Sequence, residues 1–170
     1  TLSPMISTQA GPLSSESDME QVYLVFCNSK LPLSPIIRAV TRGRWSHVAL
    51  ICDAASVLEA TGAHGVTKTP LDTLIKRSTE HCIVEVDVPR GTFNKLKTAG
   101  QSQLGKKYDW WGILGLSLNR DWQDPSDWWC SEYVAWMFEQ AGSPLIRASA
   151  VHRVTPEDLW KLPLKVVYSS

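Results

Sequence analysis

The amino-acid sequence predicts one domain of the α+β class. Its 170 residues are enough to bury a hydrophobic core, and 44% of them are hydrophobic. A longer stretch towards the C-terminus, residues 128–142, has apolar residues at the spacing of an amphipathic helix. Several short runs are apolar throughout or alternate between apolar and polar residues, which predicts β-strands. These runs are residues 22–27, 47–52, 56–60 and 83–88.

The sequence divides into a flexible N-terminal tail, residues 1–20, and a folded domain, residues 21–170. The tail is rich in Ser, Pro, Gly and Thr, and it contains no Lys or Arg. A secretory signal has a basic start followed by an apolar run, and the tail has neither. The chain also contains no apolar stretch long enough to span a bilayer, so we expect no transmembrane segment.

In the first half of the domain, cap and turn residues predict where the elements begin and end. A Ser-Pro pair and a glycine delimit a helix over residues 34–43. The turn Asp-Ala-Ala joins strands 47–52 and 56–60 into a hairpin. Two glycines mark a loop after this hairpin. Thr69 is then predicted to cap a short helix that has Pro70 at its first position.

The second half of the domain is predicted to be mainly helical. Strand 83–88 is followed by a helix that a glycine ends, and then by a Trp-rich segment, residues 108–125. Helix 128–142 comes next. The tetrapeptide Thr-Pro-Glu-Asp predicts a further short helix from Thr155, and residues 165–168 are a candidate for a last strand.

Charge and cysteine spacing exclude several classes of function. Seventeen basic residues balance seventeen acidic ones, so no long-range field attracts nucleic acid or an anionic membrane. Cys27, Cys52 and Cys82 lie in or beside strand runs and are expected to be small buried hydrophobic residues. The sequence has no C-x-x-C or H-x₃₋₅-H spacing, so we predict no metal site, cofactor or disulfide framework.

The fourth cysteine, Cys130, lies at the start of the most clearly predicted helix. Ser126 or Asp127 can cap this helix, which places the thiol in the first turn and on the apolar face. There the helix dipole favours the thiolate, and the backbone N–H groups at the helix start can bind an oxyanion. The alternative is a buried structural cysteine, since a free cysteine is among the most buried residue types.

His47 and Glu59 are predicted to share one face of the hairpin. If the turn has three residues, Glu59 lies opposite Ala49 and diagonal to His47, about 7–8 Å away. A carboxylate there can fix the tautomer of an imidazole, as the third member of a catalytic triad does. A register shift of one residue would turn Glu59 to the other face. The alternatives are an edge histidine, a solvated strand carboxylate, and His64 as the orienting residue or a substrate contact.

Five motifs together resemble the circularly permuted NlpC-type papain-like cysteine hydrolases, in which the His precedes the Cys along the chain. The motifs occur in the order found in that family and span most of the chain from residue 22 onward. They are W-S-H-V-A-L at 45–50, V-L-E-A at 57–60 with G-V at 65–66, Y-D-W-W-G-I-L-G at 108–115, W-W-C-S-E-Y-V-A at 128–135 and T-P-E-D-L at 155–159. The set is most similar to the YiiX-like branch and to compact members from bacteriophage tail regions.

The resemblance implies a permuted papain-like fold, with a small antiparallel sheet packed against the helix that carries the nucleophilic cysteine. It assigns Cys130 as the nucleophile, His47 as the general base and Glu59 as the polar third residue. Tyr108 matches a tyrosine of the family that lies near the nucleophile. Further candidates for contact with the nucleophile or the substrate are His64, Trp45 and Trp129, with Trp110, Trp111 and Trp128 either lining the cleft or packing in the core.

The reaction that the resemblance implies is hydrolysis of an amide by acyl transfer to water. The implied substrate is bacterial peptidoglycan or a muropeptide, cut in the stem peptide by an antibacterial effector or a phage-associated wall hydrolase. Such an enzyme would act in the bacterial periplasm or cell wall after delivery by a phage particle or a secretion system, with an immunity protein or the delivery apparatus as its partner. Two alternatives stay open: an acyl-lipid hydrolase or acyltransferase of the lecithin:retinol acyltransferase-like type, and a non-catalytic module that binds the cell wall.

Overall fold

The structure, a computed structural model, describes residues 18–30, 34–108, 128–147 and 154–170. The strands of these ranges are β1 (Met19–Ser29), β2 (His47–Asp53), β3 (Ser56–Thr61), β4 (Gly65–Pro70), β5 (Ser78–Pro89) and β6 (Lys165–Ser169). The helices are α1 (Ser34–Thr41), α2 (Leu71–Lys76), α3 (Thr92–Gln101), α4 (Cys130–Gln140) and α5 (Pro156–Trp160).

All six strands belong to one sheet with the order β4-β3-β2-β1-β5-β6. Each strand is antiparallel to its neighbours. The longest ladder joins β1 to β5, from Met19 paired with Pro89 to Ser29 paired with Ser78. An antiparallel sheet with helices packed on it confirms the predicted α+β class.

At Leu50, which pairs with Leu58, the hairpin of β2 and β3 has the register that a three-residue turn predicts. Nearer the turn the register shifts, and Asp53 pairs with Ser56. Continued one step beyond Leu50, the first register sets Glu59 opposite Ala49 and diagonal to His47. Because side chains alternate between the two faces of a strand, His47 and Glu59 point to the same face of the sheet.

The two faces of the sheet carry hydrophobic cores of very different size. The face that packs against α3, α4 and α5, here called the α4 face, has a large core. Its fully buried strand side chains include Leu24, Phe26, Val48, Leu50 and Leu58. The opposite face, here called the α2 face, has a small core made by Val25, Cys27, Ala49, Val57 and Leu74. His47 and Glu59 lie on the α2 face.

β4 is a strand that the sequence pattern did not predict. The residues of β4 pair one by one with those of β3, where a loop was expected. Val66 is the one apolar side chain of this strand, so the sequence shows no alternation that would indicate it. The predicted cap is also wrong: Thr69 belongs to β4, and α2 begins at Leu71 after the N-cap Pro70.

A path of hydrogen bonds leads from the start of β4 to the start of α4. The N–H of Val66 donates to the carbonyl of Lys106 at 2.8 Å, and the N–H of Trp128 donates to the carbonyl of Lys107 at 3.0 Å. Gly65 permits this close approach, because it has a φ of +66° and a Cβ there would lie 2.0 Å from the carbonyl oxygen of Lys106. The β3–β4 turn and the helix of Cys130 are therefore connected through the backbone.

Two further predictions about the ends of the domain can be compared with the structure. β1 begins at Met19, so the last two residues of the predicted tail belong to the sheet, while residues 1–17 lie outside the described residues. The short helix predicted from Thr155 is α5, where Thr155 and Asp158 form a reciprocal capping box. None of the helices in the described ranges is long and apolar enough to cross a membrane.

Candidate active site

Cys130 is the first residue of α4. Its N-cap is Trp129, whose side chain makes no hydrogen bond to the helix. The hydrogen-bond ladder of the helix starts with the N–H of Tyr133, which donates to the carbonyl of Trp129 at 3.0 Å. The N–H groups before it are outside this ladder and lie in the same turn as the thiol. The caps predicted from the sequence, Ser126 and Asp127, lie outside the described residues.

Side-chain hydrogen bonds hold the first turn of α4 in place. The hydroxyl of Ser131 donates to the carbonyl of Val154 at 2.7 Å, and the hydroxyl of Tyr133 donates to the carbonyl of Gly100 at 2.8 Å. The apolar face predicted for this helix is buried, as expected: Cys130, Val134, Met137, Phe138 and Ala141. The backbone that carries the thiol is therefore fixed to α3 and to the segment before α5.

His47 is the first residue of β2 and pairs with Cys27 at the end of the β1–β2 ladder. Its Nε2 lies 2.7 Å from Oε2 of Glu59. The side chain of His47 is 11% exposed and that of Glu59 is 0% exposed. A carboxylate accepts hydrogen bonds and does not donate them, so Nε2 carries the proton of this contact. Nδ1 is left for another partner.

The thiol of Cys130 interacts with the imidazole of His47 closely enough to raise its pKa. Because Nε2 faces Glu59, Nδ1 is the nitrogen left for the thiol. Burial lowers the pKa of His47, but the hydrogen bonds to Cys130 and Glu59 outweigh burial and raise the pKa well above its ordinary value. The raised pKa favours the imidazolium form of His47.

A second cation binds the carboxylate of Glu59. Oε2 of Glu59, which faces His47, also accepts a hydrogen bond from Nη2 of Arg77, the residue after α2. Burial raises the pKa of Glu59, but His47 and Arg77 together lower the pKa to about 2. Glu59 is therefore ionised at neutral pH although water does not reach it. Arg77 was not among the residues predicted from the sequence, where nothing distinguishes it from an ordinary surface arginine.

The residue before His47 is held by a buried network of polar groups. The N–H of Ser46 donates to Oδ1 of Asn28 at 3.0 Å. The hydroxyl of Ser46 donates to the carbonyl of Cys27 at 3.3 Å and lies 2.7 Å from the hydroxyl of Ser34. These bonds fix the entry to β2, and with it the backbone position of the imidazole.

Tyr108 and His64, two further predicted contacts, differ in their burial. Tyr108 is 9% exposed and forms a parallel bridge with Trp128, two residues before Cys130. His64 lies in the exposed β3–β4 turn. The group that binds Nε2 of the imidazole is Glu59 and not His64. A contact between His64 and the substrate stays a prediction.

The tryptophans predicted as substrate contacts are buried where the structure describes them. Trp45 is 0% exposed and packs edge-on against Trp160, with the ring centroids 5.4 Å apart. This packing makes Trp45 a core residue, and a contact between Trp45 and the substrate stays a prediction. Trp129 is 3% exposed, and its position as the N-cap places it beside Cys130. Trp110 and Trp111 lie outside the described residues.

Two comparisons relate the chain to known proteins. Residues 23–163 match the model of a family described as permuted papain-like amidase enzymes, YaeF/YiiX, C92. The fold is similar to the crystal structure of yiiX from Escherichia coli O157:H7, with a TM-score of 0.71 and 20% sequence identity over 89% of this chain and 97% of that chain. At this identity the likeness is one of fold. A comparison with the curated proteins gave no match.

The yiiX protein is described as a metalloprotein. In this chain, the described ranges contain no group of three or more His, Cys, Asp or Glu residues placed to hold a metal ion. Cys27, Cys52 and Cys82 are free and buried in separate parts of the sheet, as their apolar surroundings predict. The described residues do not fit a metal centre, whereas Cys130, His47 and Glu59 fit nucleophilic and acid–base chemistry.

Proposed function

Because the chain belongs to the family of permuted papain-like amidases, YaeF/YiiX, C92, we propose that it is a cysteine amidase with Cys130 as nucleophile, His47 as general base and Glu59 as the residue that orients the base. The observation that carries this proposal is the place of the imidazole. It interacts with a thiol at a helix start and is hydrogen-bonded to a buried carboxylate. A nucleophile, a base and a group that orients the base have this order in catalytic triads.

The first half of the reaction transfers the acyl group to the enzyme. Nδ1 of His47 takes the proton of the Cys130 thiol, and the sulfur forms a bond to the carbonyl carbon of the amide. The carbonyl oxygen becomes an oxyanion, which N–H groups at the start of α4 can stabilise. When the C–N bond breaks, the imidazolium gives its proton to the leaving amine. The acyl group stays on Cys130 as a thioester.

Water completes the reaction. His47, now neutral, takes a proton from water while the water oxygen attacks the thioester carbonyl. The C–S bond then breaks, the carboxylic acid leaves, and the sulfur of Cys130 recovers a proton from His47. Throughout these steps Glu59 accepts the hydrogen bond from Nε2, so Nδ1 always faces the thiol and the substrate.

We propose that the amide belongs to a peptidoglycan stem peptide. This choice is supported by the motifs that the chain shares with NlpC-type hydrolases, above all Y-D-W-W-G-I-L-G at residues 108–115. The enzyme would then act on peptidoglycan or a muropeptide in the bacterial periplasm or cell wall, as an antibacterial effector or a phage-associated wall hydrolase. Such a role requires a delivery apparatus, and an effector also requires an immunity protein.

The direct test is incubation of the purified protein with peptidoglycan and with isolated stem peptides, followed by mass spectrometry of the products. Cys130→Ala removes the nucleophile. Cys82→Ala is the matched control, because it removes another buried and free thiol outside the site. We expect the parent and Cys82→Ala to cut the same amide, and Cys130→Ala to leave it intact.

A second measurement separates the catalytic groups from the choice of substrate. Alkylation of Cys130 by iodoacetamide at pH 6 needs no substrate, and a thiol paired with an imidazolium reacts faster than free cysteine at that pH. Fast alkylation without peptide cleavage would reject peptidoglycan and make acyl lipids the next substrates. Alkylation no faster than that of free cysteine would reject the amidase and favour a module that binds the cell wall.

A further inference from the structure

We propose that Arg77 is a positioning residue that keeps Glu59 ionised and in place through the whole catalytic cycle. This role rests on the proposed function, in which His47 is the base and Glu59 orients it. It adds a permanent positive charge to the group of thiol, imidazole and carboxylate. Two features of the structure support it: His47 and Arg77 bind the same carboxylate oxygen, and the backbone of Arg77 is anchored.

The shared oxygen couples the guanidinium to the base. Oε2 of Glu59 lies 2.7 Å from Nε2 of His47, and it also accepts a hydrogen bond from Nη2 of Arg77. The side chain of Glu59 is 0% exposed, so solvent does not stabilise its charge. The side chain of Arg77 is 31% exposed and approaches from the direction of α2. Glu59 therefore depends on these two partners for its counter-charge.

The proposed reaction changes the charge of one partner and not of the other. His47 is an imidazolium when the thiolate attacks and a neutral imidazole in the acyl-enzyme. With His47 as its one cation, the buried carboxylate would lose its counter-ion in the acyl-enzyme and would tend to take up a proton. A protonated carboxyl can itself donate to Nε2, which would reverse the tautomer that catalysis needs. A guanidinium stays charged in proteins, so Arg77 prevents this.

The backbone of Arg77 is anchored on both sides. Its N–H donates to the carbonyl of Thr73 at 3.2 Å, and its carbonyl accepts from the N–H of Lys30 at 2.9 Å. In the next residue, the hydroxyl of Ser78 donates to the carbonyl of Leu74 at 2.7 Å. The guanidinium therefore extends from a fixed junction between α2 and β5, which a positioning role requires.

The titratable and charged groups that face Glu59 come from four parts of the fold. Cys27 of β1 lies directly opposite His47 of β2. Cys130 begins α4, and Arg77 follows α2. Burial raises the pKa of Cys27, so this thiol is neutral and adds no charge. Among the described residues of this group, the guanidinium is the permanent positive charge, and its removal is the sharpest perturbation.

Two substitutions separate the charge of Arg77 from its shape. Arg77→Gln removes the charge, and Arg77→Lys keeps it without the planar fork. Loss of a nearby cation raises the pKa of Glu59 and of His47 alike. We therefore expect the limb of the Cys130 alkylation profile at which the His47 imidazolium loses its proton to move to higher pH by about one unit in Arg77→Gln. The profile should stay in place in Arg77→Lys. In Arg77→Gln, kcat/KM for amide cleavage should fall by about 10- to 100-fold, mainly through kcat.

Lys76→Gln is the matched control. It removes one positive charge from the neighbouring residue, whose side chain is 78% exposed and pairs with Asp72 at 2.9 Å. We expect its pH profile and its kcat to equal those of the parent. If Arg77→Gln does not fold, the double variant Glu59→Gln/Arg77→Gln leaves no buried charge unpaired. Its kcat should equal that of Glu59→Gln, because no carboxylate is left for Arg77 to hold.

The outcomes distinguish this role from the proposed function. An unchanged pH profile in folded Arg77→Gln overturns the role of Arg77 and leaves the amidase intact. A loss of rate that is the same at every pH makes Arg77 a structural residue and also overturns the role. A parent protein whose Cys130 reacts no faster than free cysteine overturns the amidase and the role of Arg77 together.

Discussion

The two faces of the sheet contribute different things to the candidate site. The α4 face has the large core, and the helix packed on it supplies the thiol of Cys130. The α2 face has the small core and carries His47, Glu59 and Arg77. The thiol and the imidazole meet at the end of the β1–β2 ladder, where Cys27 pairs with His47.

The difference shows how a small domain can bury charged groups and stay folded. Apolar burial is the main source of stability, and a buried ion pair contributes little of it. Here His47, Glu59 and Arg77 satisfy one another on the face with the smaller core. Replacing a charged residue of the α2 face should therefore lower activity more than stability, and replacing a large residue of the α4 face should do the reverse.

The largest effect is expected at the one residue that the α4 face supplies to the chemistry. Cys130→Ala should lower amide hydrolysis by about 10⁴-fold or more, because it removes the covalent route. Its melting temperature should stay close to that of the parent, because the change in buried volume is small. Product analysis and a circular dichroism melt measure the two quantities. Activity that survives would mean that the α4 face supplies no nucleophile.

The next largest effect is expected on the α2 face. Glu59→Gln keeps the shape of the side chain but removes the charge that fixes the tautomer of His47, so kcat should fall by about 10³-fold. Asp72→Asn is the matched control, since it removes an exposed carboxylate that pairs with Lys76 at the surface. Steady-state kinetics on the cleaved amide give both values. Equal kcat for the two variants would separate Glu59 from catalysis.

The sequence predicts the α4 face better than the α2 face, for physical reasons. The helical period of α4 places Cys130 at a helix start, and on the α2 face the hairpin pattern brings Glu59 near His47 but does not find Arg77. These are local signals. Arg77 reaches Glu59 from 18 positions along the chain, and its side chain is long enough to lie almost anywhere. The position of its guanidinium is determined by the tertiary structure.

Tertiary structure also determines two other features, the strand β4 and the burial of Trp45. β4 is a strand because it pairs with β3, while its own sequence has one apolar side chain and no alternation. Trp45 is buried because Phe26 of β1 and Trp160 of α5 pack against it. The structure of β4 and the burial of Trp45 each depend on a partner that lies elsewhere in the chain, and a local pattern does not contain that information.

One substitution in each core tests how much the two faces of the sheet contribute to the free energy of unfolding. Phe138→Ala on the α4 face should lower the free energy of unfolding by about 4 kcal/mol, because it removes a buried aromatic ring and leaves a cavity. Val57→Ala on the α2 face should cost about 2 kcal/mol, since it removes two buried carbon groups. Urea denaturation measures both. Equal losses would mean that the two cores support the fold to the same degree.

The last effect is a dependence of the free energy of unfolding on acid. The pKa of Glu59 is about 2 in the folded protein, against about 4.3 in an unfolded chain. A carboxyl whose pKa is lowered by folding stabilises the folded state when the pH is above the pKa of that carboxyl in the unfolded chain. This contribution is lost as the pH falls from about 5 to 2. The free energy of unfolding of the parent should fall by about 3 kcal/mol more than that of Glu59→Gln over this range.

Urea denaturation in buffers from pH 6 to pH 2 gives the two curves. The comparison with Glu59→Gln is needed because Asp53 also has a lowered pKa, of about 2, next to Lys68. Asp53 is present in both proteins, so its contribution cancels in the difference. Parallel curves for the two proteins would mean that the carboxylate of Glu59 is not held in its charged form by the folded structure.

The order of the site residues along the chain determines when the site can form during synthesis. His47, Glu59 and Arg77 are all translated before Cys130, and more than fifty residues separate Arg77 from Cys130. A ribosome that adds about 5 to 20 residues per second needs roughly 3 to 10 seconds for that interval. A nascent chain in this interval contains His47, Glu59 and Arg77 but not Cys130. Under the proposed function, the cell that makes the protein therefore meets no active nucleophile in this site until translation has reached α4.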